Sequence, residues 1–220
     1  RSSHAQQVLS QVYKPLYLRD FPIMYTDPES AELIKYASNA FLATKVSFIN
    51  EVSALCEKAG ADVKEVAKGM GLDKRIGKKF LHAGPGFGGS CFPKDTLAFS
   101  KIGRDFNSPQ LITEAVIKVN ELTKERMTKK ILTICDGSLK EKIIVFLGVT
   151  FKPNTDDMRE APSLKIVPFT LKHGAIVRVV DPQGRPEGEK LLGNVEWFDD
   201  AYLAAEKADL LVILTEWNEF

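Results

Sequence analysis

Lys142-Ile-Ile-Val-Phe-Leu-Gly148 divides this chain in two. An unbroken apolar run between a lysine and a glycine reads as a short strand buried on both faces. Ala175-Ile-Val-Arg-Val-Val180 and Ala208-Asp-Leu-Leu-Val-Ile-Leu214 read likewise, with helical segments near 163–173 and 199–207 between them. Strands alternating with helices predict a parallel sheet. Pro168 falls inside the first of those helices, which is therefore expected to be kinked or shorter.

Upstream of Gly137 the pattern is helical throughout. Pro28-Glu29-Ser30 starts a helix that runs to about Ala59 and stops at Gly60. Such a helix spans roughly 46 Å at about 1.5 Å per residue. Ile34, Ala37, Phe41, Phe48, Val52 and Leu55 form one apolar stripe on it, and Leu33, Leu42, Val46 and Ile49 form another. A helix apolar on two sides is buried on two sides, in a core or between subunits. Asp62 and Glu65 have the spacing of a capping box for a short helix ending at Gly69 or Gly71. A third helix follows Cys91, and a fourth runs from Ser108-Pro109 to Asp136. The expected architecture is α plus α/β: an all-helical module over 28–137, then a parallel α/β module over 138–220. Residues 1–27 read as a short helical stretch followed by a proline-marked extended passage.

Composition narrows the function classes. Of 220 residues, 44% are hydrophobic and 27% charged, ordinary usage for a globular chain. A net charge of +1 with scattered basic residues gives no field that recruits nucleic acid or an anionic membrane. No apolar run approaches the roughly 20 residues of a bilayer span. Cys56, Cys91 and Cys135 are odd in number and far apart, which suits reduced thiols in the cytoplasm. No cluster has metal-ligand spacing.

The chemistry concentrates in Gly84-Pro-Gly-Phe-Gly-Gly-Ser-Cys-Phe-Pro-Lys-Asp95. Glycines at 84, 86, 88 and 89 remove side chains that would hold a ligand off the backbone. Pro93 suits the first turn of a helix, so the Cys91 thiol would lie at a helix N-terminus, where the dipole favours a thiolate. Lys94 adds positive charge, and Asp95, four residues on, can point back to the same space. The alternative is a capping loop around an inert buried cysteine. Gly84, Gly86 and Gly89 also satisfy G-x-G-x-x-G, but that dinucleotide pattern requires a preceding strand. Residues 78–83 do not read as one, so the pattern is set aside.

Two further places carry polar groups on otherwise apolar ground. Lys35 and Asn39, four apart on the long helix, share a face and could steady an oxyanion. Otherwise the lysine snorkels to solvent and the asparagine is a satisfied core amide. The loop from Gly148 to Ser163 opens at the carboxyl end of the first strand, where open α/β sheets bind ligands. Lys152 and Arg159 there offer charge to a phosphate, and Thr150 and Thr155 offer hydroxyls. Ser163 is the expected helix cap if the loop is only a connection. His82 borders the glycine loop and is equally a ligand contact or a solvated histidine.

Glu32-Leu-Ile-Lys35-Tyr-Ala-Ser-Asn39, Asn50-Glu51, Arg75-Ile-Gly77, Phe87-Gly-Gly-Ser-Cys91-Phe-Pro-Lys-Asp95 and Phe151-Lys152 through Asp156-Asp157-Met-Arg159-Glu160 together closely resemble the UDP-glucose/GDP-mannose dehydrogenase family, on its UDP-glucose branch. The resemblance covers nearly the whole chain. It implies a helical central domain that forms a homodimer through the long helix, then a Rossmann-like UDP-binding α/β domain, truncated here. Residues 1–27 would be the remnant of an N-terminal NAD-binding domain. The implied reaction takes UDP-glucose, two NAD⁺ and water to UDP-glucuronate. By that resemblance Cys91 is the nucleophile, Lys35 and Asn39 stabilise oxyanions, and Asp95 positions or activates water. Phe80, His82, Phe87, Gly88, Phe151 and Lys152 match the UDP-sugar site, and Arg75 matches an arginine reaching across the dimer. Lys94 and Arg159 match NAD contacts. The family's dinucleotide fingerprint has no counterpart in these residues, so the chain alone is not expected to oxidise UDP-glucose. Rival readings are a dehydrogenase of GDP-mannose or an N-acetylated UDP-sugar, a non-catalytic dimerisation and nucleotide-binding module, and a peroxide-sensing thiol protein.

Overall fold

The computed structural model describes residues 2–16 and 23–220. The extended passage expected around Pro22 lies largely outside them. A first helix, α1 (Ser3–Tyr13), is followed by a 3₁₀ turn over Lys14–Leu16. Four helices then build the first layer: α2 (Pro28–Ala59), α3 (Val63–Gly71), α4 (Phe92–Asp105) and α5 (Leu111–Ile134). The ends of α2 follow from its sequence. Asp27 accepts a hydrogen bond from the Ser30 amide at 2.7 Å, and Gly60 closes the helix at φ 71°. Asp62 caps α3 through the Lys64 amide, while Glu65 lies 3.6 Å from Lys68 instead of completing a capping box.

Of the two apolar stripes of α2, the one through Leu33, Leu42, Val46 and Ile49 is covered from Leu42 onward, its first residue Leu33 being exposed, and the other is largely uncovered in this chain. Ile49 and Ala43 are fully buried against α4 and α5, whereas Ile34, Phe41, Phe48 and Leu55 are exposed. The expectation of burial on both sides thus holds for one face within a single copy.

The second layer is a four-stranded parallel sheet of β1 (Ile143–Leu147), β2 (Ile176–Val180), β3 (Glu196–Trp197) and β4 (Leu210–Ile213), ordered β3-β2-β1-β4. Helices α6 (Ser163–Lys172), α7 (Arg185–Leu191) and α8 (Ala201–Ala205) connect the strands. The sequence reading missed β3 and α7, each too short to show a period. Successive residues of β1 serve opposite faces. Ile144 and Phe146 meet Ile166 and Val167 of α6 and Ile131 of α5. Val145 and Leu147 meet Ala204 of α8 and Phe220. Helix α6 continues through Pro168 to Lys172. Ser163 is its first residue and not its cap, and its hydroxyl donates back to Val149 O.

The chain runs from β1 outward through β2 to β3, then returns to place β4 on the other side of β1. Such a reversal opens a crevice at the carboxyl ends of the two strands that flank it, β1 and β4. Among the described residues no helix is long and apolar enough to cross a membrane.

Candidate active site

Cys91 is the N-cap of α4, exposed and free, with its sulfur 3.6 Å from Ser90 Oγ. One turn along the same helix, Asp95 is almost fully buried, and three groups converge on it. Asn39 Nδ2 donates to Asp95 Oδ2 at 2.5 Å, Lys94 Nζ donates to Oδ1 at 2.5 Å, and Lys35 Nζ lies 3.9 Å from Oδ2. The two helices bring residues 56 positions apart into one cluster. Asn39 is buried as expected, but the Lys35 side chain is 62% exposed, so its ammonium faces open space above the cluster.

The charges decide the protonation state. Burial pushes the Asp95 carboxyl up, but hydrogen bonds from Lys94 and Asn39 and the nearby ammoniums outweigh it, and the net shift is downward. Asp95 is therefore ionised at neutral pH. A depressed carboxylate contributes stability above its ordinary value of 3.8, and that contribution is lost as pH falls through the lower folded value. Lys94 is raised chiefly by its bond to Asp95, with Cys91 a smaller contributor. Arg159 is raised chiefly by its bond to Asp157, again with Cys91 contributing. Both cations thus lie within electrostatic reach of the thiol.

The glycines of the loop serve protein packing. A Cβ on Gly88 would lie 2.4 Å from Glu160 O, and one on Gly89 would enter the Phe151 ring. Gly89 N donates to Arg159 O at 2.7 Å, so the thiol loop is bonded to the loop that follows β1. Gly84 alone of the four has open space where its side chain would be, and its amide donates to Asn50 Oδ1. The expectation that all four glycines clear a path for ligand is corrected accordingly.

Several expected substrate contacts are also occupied by protein. The Phe87 side chain is buried against Ala43 and Val116. Phe80 holds φ at 62°, a strained backbone for a bulky residue, with its ring 6.0 Å from that of Phe92. Thr150 is buried and its hydroxyl donates to Lys152 O, while Thr155 Oγ1 accepts from the Asp157 amide. Arg75 is exposed and folded onto Asp73, apart from the cluster.

Beside these residues lies an open cleft of about 360 Å³, lined by Val46 and Asn50 of α2, His82 to Gly86, Phe151 and Pro162, Ile213 at the end of β4, and Leu214 and Glu216 beyond it. It lies at the carboxyl ends of β1 and β4, where the strand order reverses. Lys152 Nζ sits 5.3 Å above the Phe151 ring beside it. Its volume falls in the range of small-ligand sites. Sequence reasoning did not single out Glu216 or give Asn50 a role, because what each faces, the Gly84 amide for Asn50 and the cleft for Glu216, lies far along the chain.

Comparison with known proteins follows the same division. Residues 29–122 match the central domain of the UDP-glucose/GDP-mannose dehydrogenase family, and residues 145–220 match the UDP binding domain of that family. The chain belongs to this family. UDP-glucose 6-dehydrogenase of Rhizobium meliloti (strain 1021) is 50% identical over 98% of this chain and 49% of its own length. UDP-glucose 6-dehydrogenase TuaD of Bacillus subtilis (strain 168) is 48% identical over 99% of this chain and 47% of its length. A solved UDP-glucose dehydrogenase from Pyrobaculum islandicum superposes with a TM-score of 0.91 at 40% identity, over 99% of this chain and 50% of that one. The chain spans about half the length of the family relatives it matches.

Proposed function

We propose that this chain is the central and UDP-binding part of a UDP-glucose 6-dehydrogenase, which oxidises UDP-glucose to UDP-glucuronate with two NAD⁺ and water. In this reading residues 28–137 are the central domain, 138–220 the UDP-binding domain, and 1–27 the end of the NAD-binding domain. The carrying observation is the exposed thiol at the start of α4, one turn from an ionised carboxylate gripped by Asn39, Lys94 and Lys35. Identity of 40–50% with UDP-glucose dehydrogenases favours glucose over the GDP-mannose and N-acetylated alternatives.

The residues here suit an edge contact with NAD. Lys94 and Arg159 are exposed cations near the thiol, while the loop glycines are taken up by packing. When bound, NAD supplies the hydride acceptor. Cys91 adds to the C6 aldehyde left by the first oxidation and holds it as a thiohemiacetal, which the second oxidation converts to a thioester, so no free aldehyde escapes. Lys35 and Asn39 stabilise the oxyanion that forms when sulfur adds to the carbonyl. Asp95 takes the proton of the water that attacks the thioester, and the thiolate leaves. His82, Phe151 and Lys152 border the nucleotide, whereas Phe87 and Gly88 fix the loop. The three free cysteines suit a cytoplasmic enzyme.

Incubating the full-length enzyme with UDP-glucose and NAD⁺ tests this directly. Two NADH per UDP-glucuronate are expected. One NADH per sugar, or preference for GDP-mannose, would overturn the reading.

The uncovered stripe of α2 supports a homodimer. Ile34, Phe41, Phe48 and Leu55 recur every seven residues and are exposed in a single copy. A seven-residue apolar seam packs against another helix, and Arg75 is then available to the partner's sugar. Phe48→Glu places a charge in that seam and forfeits about 2 kcal/mol of apolar burial per chain. Light scattering should report two chains for the wild type and one for the variant. An unchanged dimer would remove this seam from the interface.

A further inference from the structure

We infer that Asn120 is a positioning residue that sets the Cys91 loop in its reactive place, an inference that rests on the dehydrogenase reading. Asn120 lies in the middle of α5, 4% exposed, and its carboxamide bonds both backbone groups of one residue. The Phe87 amide donates to Asn120 Oδ1 at 2.8 Å, and Asn120 Nδ2 donates to Phe87 O at 3.0 Å. A carboxamide of this length carries a donor and an acceptor side by side. An aspartate keeps the acceptor and loses the donor, and alanine loses both. Because the site is buried, no solvent replaces the missing partner.

The loop is shaped around the same side chain. Gly86 holds φ at 119°, and a Cβ there would sit 3.0 Å from Asn120 Oδ1. Held in this way, Phe87 drives its ring into the core beside Ala43 and Val116 and meets Phe92 edge-on at 5.9 Å. Phe92 is the first residue of α4, next to the thiol. On the far side, Gly88 and Gly89 rest on Glu160 and Phe151. The three residues between Phe87 and Cys91 are therefore pinned at both ends, and Asn120 supplies the pin on the helical side. It touches neither Cys91 nor the cleft, so its effect runs through the backbone.

Two measurements on Asn120→Asp, Asn120→Ala and Gly86→Ala in the full-length enzyme test this: steady-state kinetics, and the rate of Cys91 alkylation by iodoacetamide, read by mass spectrometry. A misplacement near 1 Å costs about 10²-fold in rate. Asn120→Ala should lower kcat by about that factor, Asn120→Asp by about 10-fold, and both by more than they raise KM. Gly86→Ala, which attacks the contact from the loop side, should follow them. Alkylation of Cys91 should change in the same order, at a temperature where circular dichroism shows each variant folded. Variants with lower Tm but wild-type kcat and alkylation would overturn the inference and leave Asn120 a structural residue. Altered alkylation in an enzyme that makes no NADH from UDP-glucose would keep the positioning role and sink the dehydrogenase reading instead.

Discussion

Cys91→Ser in the full-length enzyme should abolish UDP-glucuronate formation, by at least about 10³-fold, while UDP-glucose binding and thermal stability stay near wild type. The size of the loss follows from the nucleophile. Sulfur is intrinsically a far stronger nucleophile toward a carbonyl carbon than a hydroxyl oxygen. A serine hydroxyl at that place stays protonated and attacks slowly. It can also form only an oxygen ester, whose serine alkoxide is a poorer leaving group than a thiolate when water completes the reaction. Binding survives because Cys91 is not among the residues that line the cleft. Stability survives because the thiol is exposed and caps no amide. Product analysis by mass spectrometry, with calorimetric titration of UDP-glucose, separates the possibilities. UDP-glucuronate made at the wild-type rate would return this chain to the class of binding modules.

The elements legible in the sequence are those with a long period or a strong stop signal. Helix α2 could be read from Pro28 to Gly60 because both ends are marked and its apolar spacing persists for nine turns' worth of chain. Strand β1 could be read because burial on both faces makes it apolar throughout. The two-residue β3 carries no such signal; its position comes from pairing with β2. The chemistry of Cys91, Lys94 and Asp95 was readable because one helical turn gathers them. What the sequence hid is how the glycines are used. Glycine next to a thiol reads as room for a ligand, yet the atoms opposite Gly86, Gly88 and Gly89 belong to Asn120, Glu160 and Phe151, which lie far along the chain. Contacts between residues far apart in the chain leave no local period, so neither the Asn120 clamp nor the cleft shared by α2 and β4 could be foreseen. The direction of Lys35 was hidden for a related reason. Helical spacing fixes which residues share a face, but the neighbours decide whether that face is covered.

Gly88→Ala carries the second large expected effect, and it tests how the two layers are joined. The added methyl would meet Glu160 O at 2.4 Å, Glu160 C at 2.8 Å and the Ala161 Cα at 3.0 Å. All three are backbone atoms, so no side chain can swing aside. Nor can the opposing segment retreat freely. Glu160 holds φ at 52°, and Arg159 O accepts the Gly89 amide. Relief requires the loop and the β1–α6 connection to part, which exposes buried backbone and breaks that bond. We expect a loss of about 3 kcal/mol, or a Tm lower by roughly 10 °C for a chain of this size. Gly84→Ala is the matched control. It adds the same methyl to the same loop, meets nothing within 4 Å, and should change stability by less than about 0.5 kcal/mol. Differential scanning calorimetry on the two variants compares them directly. If both melt with the wild type, the close approach at Gly88 does not hold the thiol loop to the sheet, and the Cys91 loop must owe its position to the helical side alone.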